Sequence, residues 1–89
     1  MSRFFTVSAT GNYPSDNGVT VKAGDALLVV GGTTITAAVQ RKMGDGSWET
    51  LPAGDYSSIT GPVEFTFLHT GWYRLAATVV TGTWKCEVI

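Results

Sequence analysis

Apolar and polar positions alternate along most of the chain, and the period is two. Residues 33–43 (TTITAAVQRKM) set Ile35, Ala37, Val39, Arg41 and Met43 on one face and Thr34, Thr36, Ala38, Gln40 and Lys42 on the other. Residues 63–68 align Val63, Phe65 and Phe67. Residues 72–80 align Tyr73, Leu75, Ala77 and Val79 against Trp72, Arg74, Ala76, Thr78 and Val80, and residues 83–89 align Trp84, Cys86 and Val88. Successive side chains of an extended chain point to opposite faces, so each segment predicts a strand with one core-facing side. RFFTVSA at 3–9 and GVTVK at 18–22 alternate in the same way. ALLVV at 26–30 is apolar throughout, short and bounded by glycines, which predicts a fully buried strand rather than a helix. SWETL at 47–51 returns from the long strand, and YSSI at 56–59 reads as a brief strand or an irregular crossing.

Turn chemistry separates these segments. Breakers stand at 23–25, 31–32, 44–47, 52–55, 60–62, 69–71 and 81–82, and TGNYPSDN at 10–17 reads as a loop. Asp45-Gly46 predicts a tight hairpin, because such turns need residues that tolerate positive φ. No segment carries a helical period. The expectation is an all-β fold: a single small antiparallel β-sandwich or barrel of seven to nine short strands spanning residues 1–89.

Composition narrows the function. Six basic and seven acidic residues give a net charge of −1, and Arg41-Lys42 is the only adjacent basic pair. That is no footprint for nucleic acid, whose binders cluster basic residues on one surface. No apolar run reaches the length of a membrane helix, and MSRFFTVSATG has no signal-peptide core, so neither a membrane nor an export route is expected. Cys86 is the single cysteine, which rules out a disulfide framework and suits a reducing cytoplasm. Charged residues make up 15%, below the roughly 25% usual for soluble domains. A small chain with so little charge tends to associate, so a homo-oligomer or a larger assembly is expected.

Candidate chemistry is thin. His69 and Cys86 are the obvious pair for nucleophilic catalysis, but they lie on segments that need not be neighbours. The plainer reading is that His69 caps a turn and Cys86 fills the core. Asp45-Gly46-Ser47 resembles a fragment of a calcium loop without its alternating ligands and terminal Glu. No metal, cofactor or enzymatic activity is expected. The aromatics remain. Trp72 and Trp84 lie within strands and are expected in the core, whereas Trp48 and Tyr56 lie near turns and are candidates for exposure. Exposed, they could stack on a sugar or anchor a protein interface. Phe4 and Phe5 are adjacent and therefore point to opposite faces, which leaves one outside the core. The N-terminal strand, 3–9, is accordingly expected to be a partner-binding edge whose removal with residues 1–9 leaves a folded core. The candidate partner-binding residues are Phe4, Phe5, Trp48 and Tyr56.

The run TAAVQRKMGDGSWETLPAG followed by GPVEFTFLHTGWYRLAATVVTG resembles a pattern in small virion structural proteins of tailed bacteriophages. It carries a strand ending in Val39, Gln40 and Arg41, a turn of Asp45, Gly46 and Ser47, and a late strand with Gly71, Tyr73 and Arg74. The resemblance covers about half the chain and leaves the N-terminal third without a counterpart. It implies a capsid decoration (cement) protein, a head-fibre base or a small tail component. Such a protein binds the major capsid protein or other virion proteins in many copies, resides in the virion and is made in the host bacterial cytoplasm. The alternative is a carbohydrate-binding or adhesion module of tail- or head-fibre type that uses Trp48 and Tyr56.

Overall fold

A computed structural model describes residues 3–89. The alternating segments become nine strands: β1 (Arg3–Val7), β2 (Gly11–Tyr13), β3 (Val19–Val21), β4 (Ala26–Val30), β5 (Thr34–Lys42), β6 (Trp48–Ile59), β7 (Val63–Thr66), β8 (Gly71–Thr81) and β9 (Trp84–Val88). All pairings are antiparallel. One sheet has the order β1-β9-β4-β7; the other has the order β2-β8-β5-β6, with β3 also on β8. β2 and β3 are two halves of one edge, pairing with Leu75–Ala77 and Gly71–Tyr73 in turn. The architecture is a sandwich of two separate sheets.

The core draws on both inner faces. The first sheet supplies Val7, Leu27, Val29, Phe65, Trp84, Cys86 and Val88; the second supplies Val21, Ile35, Ala37, Val39, Tyr73, Leu75 and Ala77. These are the positions that the period of two selects. Large rings fill the gap: Phe67 sits edge-on to Phe65 at 5.3 Å and tilted on Tyr73 at 4.6 Å between centroids. Trp84 is 1% exposed and donates its indole N–H to the Thr34 carbonyl at 3.1 Å, which satisfies its one polar atom.

Several expectations are corrected. ALLVV is buried on one face only: Leu28 and Val30 lie half-buried on an outer face that nothing covers. β1 stops at Val7 rather than residue 9. The loop at 10–17 contains β2. Met43 lies beyond the end of β5 and is exposed. Val79 is exposed and Val80 is half-buried, the reverse of the simple alternation, because the β5–β8 register shifts between Thr36 and Ala37 and leaves Thr78 as an extra residue. A bulge of this kind reverses every later side chain.

The largest departure is at 52–55, where the chain does not turn back. β6 runs through it as one strand, since Gln40 pairs with Thr50 and Ala38 with Asp55, so residues 51–54 loop out between these pairs. Gly54 is buried in this bulge, and a Cβ there would lie 2.7 Å from Val39 Cβ and 3.0 Å from Phe65 Cε2. A second shift follows between Ile35 and Ala37, where Ser58 adopts φ +50° and its N–H bonds to Thr36 Oγ1 at 2.9 Å. The Asp45 hairpin forms as expected. Gly46 has φ +89°, and the Ser47 hydroxyl and N–H bond to the Asp45 carboxylate, holding it below its ordinary pKa.

Candidate functional site

A sandwich of two open sheets has four edges, and an edge left unprotected is a template for another chain. β6 is interrupted by two bulges and by Pro52. β7 has only four residues, and the β2–β3 edge is broken in its middle. β1 alone is a regular five-residue pairing, in register with β9 from Arg3–Val88 to Val7–Trp84, with neither proline nor bulge. Its one charged side chain is turned aside: Arg3 bonds to the Thr20 carbonyl and pairs with Asp25 at 3.5 Å.

The outward side chains of this edge open a face on which apolar and charged residues interleave. Phe4 is 61% exposed and stands opposite Glu87, which stands opposite Leu28. The next row holds Thr6, Lys85 and Val30. Phe4, Leu28 and Val30 line a shallow cleft with Lys85 and Glu87. The sequence marked Phe4 through its adjacency to Phe5; it missed Leu28 and Val30, because an unbroken apolar run does not say that one face is uncovered.

The other candidates separate. Phe5 turns inward and stacks on Tyr13 at 6.4 Å, packing against the core rather than joining Phe4. Tyr56 stands opposite buried Ala37 and also packs against the core, and burial pushes its hydroxyl pKa up. Trp48 stands opposite Lys42 and is half-buried, with the Arg74 guanidinium 4.3 Å above its ring. Trp48 and Tyr56 therefore occupy opposite sides of β6 and cannot form one platform. Trp48 shares its face instead with Trp72, which is 47% exposed rather than in the core. The signal was legible: Trp72 alternates in phase with Arg74, not with Tyr73. On this face Arg74 donates to Gln40 at 2.8 Å and to the Asp16 carbonyl at 2.9 Å, while Asn12 donates to the Asp16 carboxylate at 3.0 Å.

His69 is exposed and its carbonyl accepts from the Tyr73 hydroxyl at 2.8 Å, while Cys86 is fully buried with its thiol pushed up to about 12. Desolvation disfavours the thiolate, the form a nucleophile or metal ligand requires. No cluster of three or more His, Cys, Asp or Glu able to hold a metal ion occurs among the described residues. No protein-family model, curated protein or solved structure matches the chain.

Proposed function

We propose that this protein is a non-enzymatic assembly component, a capsid decoration protein that binds the outer surface of a phage capsid in many copies through β1 and the Phe4 face. The observation that carries this is the contrast among the edges: three are broken or short, and the fourth is regular and carries exposed Phe4, with half-buried Leu28 and Val30 on the same outer face. The virion setting rests on the likeness of residues 36–54 and 61–82 to small phage structural proteins. Each contact of so small a domain buries little, below the ~800 Å² per partner of a stable pair. Repetition over a symmetric shell makes weak contacts sufficient through avidity.

The test is to label phage particles released from the strain carrying the sequence with antibody against the purified chain. Dense labelling of heads is expected; label confined to tails, or none, overturns the capsid assignment. Phe4→Glu should abolish incorporation while the purified variant keeps its fold.

A second reading, glycan binding, is favoured by Trp72 and Trp48 on the outer face of the second sheet beside Arg74, Gln40 and Asn12. Aromatic faces with polar neighbours are what a sugar ring stacks on. Retention on a glycan array that Trp72→Ala abolishes and Phe4→Glu leaves intact would favour it over the first.

A further inference from the structure

A groove of about 260 Å³ opens between the β6 bulge and the β7–β8 connection. Buried Phe65 and Tyr73 form its base; Leu51, Pro52, Ala53, Leu68 and His69 form its sides, and Arg41 contributes the charge. Leu68 is 76% exposed and lines the groove with Leu51, Pro52 and Ala53, so it belongs to a grouped apolar surface rather than standing alone. No acidic residue lines the groove.

Arg41 is poorly satisfied there. The only ion pair among the described residues is Arg3–Asp25, so no carboxylate lies within 4.0 Å of the Arg41 guanidinium. Its cross-strand neighbour Glu49 makes no pair with it. Arg41 Nε is buried without a partner, its Nη2 reaches the Thr70 carbonyl only at 3.4 Å, and the guanidinium otherwise lies against Gly71 and 5.9 Å from the centre of the Tyr73 ring. A buried unpaired donor is rare and costly, most of all on a charged group. A guanidinium has a fork geometry that matches a carboxylate.

From these facts we infer that the groove is a binding site for an extended segment of a partner protein carrying a carboxylate beside an apolar side chain. The carboxylate bonds to Arg41, and the apolar side chain lies between Pro52, Ala53 and Leu68. The volume suits one such side chain rather than a large ligand. Charge complementarity selects the class: a groove whose ionic group is an unpaired cation favours an anionic occupant over a neutral one. The inference is independent of the β1 reading, because the two surfaces share no residue.

N-acetyl-leucine carries both required groups, and N-acetyl-leucinamide lacks only the carboxylate. Each is titrated into the isotope-labelled protein while the Arg41 Nε–H resonance and the backbone amides of Ala53, Gly54, Leu68 and Thr70 are followed. The acid should shift these signals in the millimolar range, and the amide should bind about tenfold or more weakly, the loss of one charge-assisted hydrogen bond. Arg41→Gln should remove the difference between the two. Leu68→Asp, on an exposed side chain that the fold does not need, should abolish acid binding even if Arg41→Gln fails to fold. Equal shifts by acid and amide, shifts away from the groove, or no shifts at all would overturn the site.

Discussion

At the scale of single residues, two glycines are required for different reasons, and substitution separates them. Gly54→Ala places a methyl 2.7 Å from Val39 Cβ in the core, so overpacking should cost about 1–3 kcal/mol in a urea titration. Gly46→Ala meets nothing within 4 Å, but Gly46 has φ +89°, so its cost of about 1 kcal/mol is conformational and local to the hairpin. Cys86 gives a pH-dependent prediction. Burial raises its folded pKa to about 12 from an ordinary 9.0, so the unfolded chain ionises first as pH rises. The contribution is intact below pH 9.0 and is lost progressively towards about 12, with a slope of up to ~1.4 kcal/mol per pH unit. Comparing alkaline unfolding of the wild type with Cys86→Ala isolates this slope from that of tyrosines and lysines. A parallel pair of curves would show that the thiol is more accessible than its packing indicates.

At the scale of elements, β1 is both an edge and a structural member, and the two roles make opposite predictions for two changes. Val7 is fully buried and Phe5 packs against the core, so deleting residues 1–9 removes core as well as edge. The deletion should therefore lose the folded state in circular dichroism, contrary to the expectation drawn from sequence alone. Phe4→Glu touches only the outward face; its carboxylate stands opposite Glu87, so it should cost a fraction of a kcal/mol and lower the midpoint of thermal unfolding by a few degrees, without loss of the fold. The same tension marks what the sequence revealed. Strands with clean alternation, such as the stretches around Ile35–Val39 and Tyr73–Ala77, were legible because burial on one face leaves a mark at every second residue. β2 was not, because Gly11, Asn12 and Tyr13 form a strand by pairing with β8 rather than by propensity. Pro52-Ala53-Gly54 carried turn chemistry but became a bulge, since an outer strand can accommodate proline and extra residues that an inner strand cannot. Of the site, Phe4 was legible and the outward placing of Leu28 and Val30 was not, because whether a sheet's second face is covered depends on layers that lie elsewhere in the chain.

At the scale of the whole molecule, the two outer faces differ in kind, and that difference predicts how the protein associates. The outer face of the second sheet is tied together by Arg74, Gln40, Asp16 and Asn12, so its polar groups are largely engaged. The outer face of the first sheet offers Phe4, Leu28 and Val30 beside a regular edge, interleaved with Lys85, Glu87 and Glu64. A net charge of −1 supplies almost no long-range repulsion between copies. Association driven from this face should therefore rest mainly on Phe4 and the backbone edge, with the interleaved charges of mixed sign a minor part. Sedimentation should find a concentration-dependent mass above that of the 9.4 kDa chain. Raising sodium chloride should weaken it little, because screening acts on exposed charges, and sulfate should strengthen it by favouring burial of apolar surface. Phe4→Glu should return the sample to the mass of one chain, whereas Trp72→Ala should not. If instead Trp72→Ala dissociates the assembly and Phe4→Glu does not, the second sheet is the contact surface, and β1 is an edge protected only by its shortness.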